Sequence, residues 1–178
     1  GFQNTTGNEN AFFGHDAGAN NNASQNSFFG TLAGVGNTTG TENSFFGYRS
    51  GAGSATSSNN SFFGYLTGAV NTAVNNSSFG SQAGESNTTG SLNSFFGTEA
   101  GNANTSGAGN SFFGYRAGFV NTIGSGNSFF GNFAGATNLG GDNSFFGNNA
   151  GISNQLGASN SFFGSNAGGS NTSGVRNS

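Results

Sequence analysis

The chain repeats itself every 16 or 17 residues along its length, and this period narrows the possible folds more than any other property. The shared motif is N-S-F-F-G-x-x-A-G-x-x-N-T-x-G-x-x, with positions numbered 1–17 from its first Asn. Full repeats start at Asn10, Asn26, Asn43, Asn60, Asn76, Asn93, Asn110, Asn127, Asn143 and Asn160, and partial repeats lie at both ends, so residues 1–178 read as a single repeat array. Position 4 is Phe in all ten full repeats, and position 3 is Phe in nine, the exception being Ser78. Gly fills positions 5 and 9 throughout. Position 8 is Ala except at Ser50 and Thr67, and position 12 is Asn except at Ser54. Length varies only between position 12 and the next Asn, which marks that stretch as a loop.

A period of 16–17 residues is too short for a helix–turn–helix unit. No apolar spacing of three and four persists, and two fixed glycines per repeat penalise a helix by roughly 1 kcal/mol each. Asn-Ser-Phe-Phe reads as a short strand ended by the Gly at position 5. Ala-Gly at positions 8–9 opens a second side, expected to be a second short strand, and Asn-Thr-x-Gly supplies the turn back. The expectation is an all-β fold, a parallel β-solenoid (β-roll) of about ten 16–17-residue coils. At about 4.8 Å per coil the rod is on the order of 50 Å long. Identical residues then stack into ladders, with the position-1 asparagines satisfying their amides along the axis.

Neighbouring strand residues face opposite ways. The Phe ladders at position 3 (Phe12, Phe28, Phe45, Phe62, Phe95, Phe112, Phe129, Phe145, Phe162) and position 4 (Phe13, Phe29, Phe46, Phe63, Phe79, Phe96, Phe113, Phe130, Phe146, Phe163) are therefore expected to face opposite ways, one filling the interior and the other pointing out. Ten outward rings at 150–250 Å² each amount to roughly 1,500 Å² or more of apolar stripe, and a soluble monomer seldom leaves that much open. Three arrangements cover it: copies of the chain around a common axis, lateral bundling of fibres, or a bulge that turns both rings into one core. The first is preferred. The array runs from position 9 (Gly1) to position 2 (Ser178) without an atypical capping repeat. The expectation is a segment of a longer repetitive protein, or coils that continue from chain to chain.

Composition excludes several functions. Only 5% of residues are charged, net charge is −3, and the three cations Arg49, Arg116 and Arg176 are far apart. Nucleic-acid binding needs clustered cations, so no nucleic-acid partner is expected. No apolar run is long enough to insert into a membrane or act as an export signal, so any such signal is expected outside this chain. There is no Cys, Met, Trp or Pro.

The columns N-S-F-F-G-x-x-A-G-x-x-N-T-x-G resemble a family of bacterial surface and phage tail-fibre repeats with N-T-[AF]-[FIL]-G-x-x-A-[GL]-x-x-N-T-T-G arrays. Residues 26–40 and 110–124 match it almost column for column, and the resemblance covers essentially the whole chain. The repeats are also similar to the head of trimeric autotransporter adhesins, with its N-S-V-A-I-G-x-x-[SA] motif. The resemblance implies a left-handed parallel β-roll, three chains about one axis, and an extracellular location on a cell surface or virion tail fibre. The apolar stretch here is Phe-Phe rather than three residues, so its inside/outside parity differs.

No catalytic, cofactor or metal site is expected. His15 and Asp16 sit in variable columns without a nucleophile or an orienting third group. Glu9 and Glu42 share a column but lie two coils apart, too far for one metal. Gly140-Gly141-Asp142 is only a fragment of the calcium-binding nonapeptide. The triplets at Asn37-Thr38-Thr39 and Asn87-Thr88-Thr89 read either as glycan acceptors or as repeated turn residues. Register predicts two exposed stacks: an ion pair of Glu99 with Arg116 at position 7, and Tyr48 on Tyr65 at position 6.

The function expected is an extracellular structural fibre, stalk or adhesin-like filament whose partner is itself. A surface or glycan ligand stays open. The alternatives are a phage tail-fibre shaft and an ice-binding solenoid. The last rests on Thr38, Thr72, Thr88, Thr105, Thr122 and Thr172 at position 13, a column interrupted by Asn22, Ala55, Leu139 and Gln155. A polysaccharide-processing solenoid would want a groove of clustered acids, which the chain lacks.

Overall fold

Each Asn-Ser-Phe-Phe segment contributes one three-residue strand. In the computed structural model, which describes all residues from Gly1 to Ser178, these are β1 (Ala11–Phe13), β2 (Ser27–Phe29), β3 (Ser44–Phe46), β4 (Ser61–Phe63), β5 (Ser77–Phe79), β6 (Ser94–Phe96), β7 (Ser111–Phe113), β8 (Ser128–Phe130), β9 (Ser144–Phe146) and β10 (Ser161–Phe163). They form one parallel sheet in the order β1 to β10. Every strand pairs with its equivalent one coil on, Phe95 with Phe112 and Phe96 with Phe113 for example. The chain is an all-β parallel solenoid, as the period predicts.

The second side of the coil is not a strand. Positions 5–12 form a run of tight turns, in which N–H groups donate three residues back: Ala100 to Gly97, Asn102 to Glu99, Asn104 to Gly101. The cause is the backbone. Position 5 has φ near +138° at Gly97, position 7 is left-handed at Glu99 (φ 58°), and position 9 is left-handed at Gly101 (φ 58°). Alternating positive φ values are incompatible with an extended strand. Neighbouring coils are still joined here by single bonds, from the Glu99 N–H back to Ser81 O and from the Gly101 N–H on to Ala117 O. Of 112 backbone hydrogen bonds, 94 lie outside the strands, some closing turns within a coil and the rest joining it to the coils on either side.

Two glycine columns are required by close approach. A Cβ on Gly97 would stand 2.5 Å from the Gly114 carbonyl oxygen, because the corners of successive coils nest directly on one another. A Cβ on Gly101 would stand 2.8 Å from the Phe95 ring, because position 9 lies flat against the inner phenylalanine of its own coil.

The core is correspondingly thin. It consists of the inner Phe column on one side and the Ala-Gly column on the other. Phe28, Phe45, Phe95, Phe112, Phe129 and Phe145 are completely buried, their ring centroids 4.8–5.1 Å apart where two follow in adjacent coils. The column breaks once, at Ser78, which pairs with Phe62 below and Phe95 above. There the core divides into two clusters, one ending at Phe62 and the other starting at Ala83.

Two predictions follow from this packing. Ser78→Phe, which inserts a ring between Phe62 and Phe95 without altering the register, should raise stability by about 1.5–3 kcal/mol in chemical denaturation. Gly97→Ala, strained in φ and blocked by the Gly114 carbonyl, should lower it by at least about 2 kcal/mol in the same assay.

Candidate functional site

The features that repeat most strictly are two buried asparagine columns and one outward Phe column, and these are where a function of this chain must be sought. Position-1 asparagines from Asn26 to Asn160 are buried. Each Oδ1 accepts the backbone N–H of the corresponding Asn one coil on, as from Asn43 to Asn26 (3.0 Å) and from Asn110 to Asn93 (2.9 Å). Each Nδ2 donates to a loop carbonyl of its own coil, such as Asn93 to Gly107 (2.8 Å). The column is thus mostly a side-chain-to-backbone staple.

The amide-to-amide ladder lies at position 12, where the sequence predicts turn chemistry. Asn104 Nδ2 donates to Asn87 Oδ1 (2.7 Å), and Asn87 Nδ2 to Asn71 Oδ1 (2.8 Å). The same nitrogen also holds the loop. In 17-residue coils it reaches the carbonyl three residues on (Asn87 to Gly90), and in 16-residue coils the carbonyl two residues on (Asn71 to Ala73, Asn138 to Gly140). The one-residue difference is absorbed there, and strand register does not change.

That ladder fails in one coil. Ser54 replaces Asn, and three buried polar atoms have no partner: Asn37 Oδ1, Ser54 Oγ and Ser57 Oγ. With Ser50, Thr67 and Ser78, every departure from the interior columns falls between residues 50 and 78. Ser50 and Thr67 recover their hydroxyl bonds on the carbonyls of Phe62 (3.0 Å) and Gly80 (2.7 Å). The solenoid therefore has a polar, weakly packed seam at the break in its aromatic core.

The outer ladder runs without interruption through all ten strands, including Phe79 beside the seam. From Phe29 to Phe163 its ring centroids are 4.5–5.0 Å apart and nearly parallel. Both rings do not turn into one core, which removes the bulge alternative. The stripe is narrower than ten separate rings imply, because stacking hides ring faces and leaves edges. Phe13 and Phe163 at the two ends are 75% and 68% exposed, whereas Phe46 to Phe113 are only partly so. The open area is roughly 500–900 Å².

No family model, curated protein or solved structure matches the chain.

The remaining residues singled out by sequence are placed as follows. Glu99 and Arg116 form an ion pair through Oε2 and Nε, and Arg116 also lies over the rings of Phe119 (4.9 Å) and Tyr115 (5.2 Å). The Glu99 hydrogen bond raises the Arg116 pKa further, against a smaller opposing effect of desolvation. Tyr48 stacks on Tyr65 with centroids 5.6 Å apart. His15 Nδ1 meets Asp16 Oδ2 at 3.1 Å on an open surface. Glu9 accepts from Gln25 (3.1 Å), and no three His, Asp or Glu side chains gather anywhere. No pocket forms. Asn37 and Asn87 are buried with their Nδ2 groups donating inward, to Asn21 Oδ1 and to the Gly90 carbonyl.

Ser54→Asn should give Asn37 Oδ1 its donor and remove an orphan hydroxyl. The expected result is a gain of about 1–3 kcal/mol, with slower amide hydrogen exchange between residues 50 and 78.

Proposed function

We propose that the chain is a rod-forming segment of an extracellular structural fibre or stalk, of the kind that stands on a cell surface or forms a tail-fibre shaft. The observation that carries this reading is the uninterrupted in-register stack of ten strands, in which each coil satisfies the next. Nearly all the strictly repeated residues serve that stacking, and the most variable side chains, in columns 6 and 14, lie mostly on the surface. A molecule organised in this way provides length, stiffness and a periodic surface. The place of the fibre outside the cell rests on the resemblance to surface and tail-fibre repeats.

The threonine column favours this reading over ice binding. Thr38, Thr72, Thr88 and Thr105 donate their hydroxyl protons to the backbone carbonyls of the next coil (2.7–2.9 Å). Those protons are unavailable to an ordered water layer, and the column is interrupted besides.

Electron microscopy of the purified chain should show straight rods about 50 Å long per chain, and antibodies against it should label intact cells or virions from outside. Labelling only after permeabilisation would overturn the extracellular assignment. Thermal hysteresis should be absent, and a clear ice-growth gap would instead favour the ice-binding reading.

A further inference from the structure

We propose that the outward Phe ladder, with the Ser column beside it, is the seat of a second copy of this chain, the two sheets packing face to face. This surface stands independently of where the fibre is located. Positions 2 and 4 point out of the sheet together, so its outer face is a row of serines alongside a row of phenylalanines. Among the partly exposed columns that carry a side chain these two alone hardly vary: position 4 is Phe in every full repeat, and position 2 is Ser in all but Ala11. Columns 6, 7 and 10 on the same solenoid accept Thr, Tyr, Asn, Leu, Glu, Arg and Phe. Stacking within one chain accounts for the ring faces, but it leaves the ring edges against water.

Three properties of the face fit an identical partner. No strand carries an ionisable residue in any coil, so two copies meet without like-charge repulsion even though the chain is acidic overall. The ring spacing of 4.5–5.0 Å between Phe29 and Phe163 is the same on both partners, so the ring edges of the two ladders can meet in constant register along the whole contact. The area suffices: about 500–900 Å² of aromatic edge per copy, with the serine column added, brings the total into the range of roughly 1,200–2,000 Å² typical of stable complexes. A lipid surface or an unrelated protein would need no such constancy of both Phe and Ser over ten coils.

Sedimentation equilibrium of the wild-type chain should give twice its 17.7 kDa mass at micromolar concentration. Ser77→Glu/Ser111→Glu/Ser144→Glu places charges on the face in alternate coils and should weaken pairing at least about 100-fold, leaving the far-ultraviolet spectrum unchanged. Thr39→Glu/Thr89→Glu/Ser173→Glu, on exposed loop positions away from the face, should pair like wild type. If the first variant fails to fold, Ser94→Cys supplies the test, since the natural chain has no cysteine. A short bis-maleimide should link two Ser94→Cys chains and should not link Ser106→Cys chains. A wild-type chain that stays at single mass to about 100 μM, that associates in threes, that binds phosphatidylcholine vesicles as a monomer, or whose face-charged variant still pairs, overturns the proposal.

Discussion

Everything in this solenoid depends on the amide of the first asparagine in each coil. Its oxygen takes the backbone N–H one coil on and its nitrogen takes a loop carbonyl of its own coil, so a single side chain joins the strand, the loop and the next turn of the rod. The group is buried, and an unmet amide in such a place costs about 1–3 kcal/mol. Slipping the stack by one residue would leave every such amide without its partners, in addition to exposing the inner phenylalanines. The Asn columns therefore set the register, and the Phe columns supply the burial that makes the register worth holding.

The backbone contributes a cost against which these gains are set. Position 7 and the last position of each repeat are left-handed in every coil, and most are not glycine: Leu32, Arg116 and Phe133 at position 7, Glu42 and Leu92 at the end. Left-handed backbone costs roughly 1–2 kcal/mol for such residues. The conformation survives because the N–H of position 7 and the carbonyl of position 6 are fixed by neighbouring coils, as from Arg116 N–H to Thr98 O. Side chains there face solvent, which frees them to vary. Only where equivalent positions meet in consecutive coils, as Glu99 with Arg116, does identity affect the next turn.

The fold was readable because a parallel, in-register stack converts sequence period directly into neighbour relations. The opposed faces of the two phenylalanines and the Glu99–Arg116 and Tyr48–Tyr65 stacks all follow from column position alone. What was not readable depends on dihedral angles. Glu, Leu and Arg at position 7 carry no residue-type signal for a left-handed backbone, so the column pattern predicts a second strand where the chain makes successive turns. Likewise Asn at position 12 fits both a turn and a buried ladder. The signal that separates them is its near-invariance beside the more variable positions 13 and 14, since a turn alone tolerates Asp, Ser or Gly.

The seam shows what this kind of order implies for tolerance. In a globular core a lost contact is shared among many neighbours, but a solenoid coil touches only the coils on either side, so a defect propagates no further than one turn in each direction. Ser54, Ser57 and Ser78 are accommodated because the strands above and below keep their pairing and the outer Phe ladder crosses the gap through Phe79 (4.6 and 4.7 Å to its neighbours). The outer column therefore has a second role inside the single chain. It holds the two halves of the divided core in line where the inner column cannot, and this explains why the break in the buried aromatics does not break the rod.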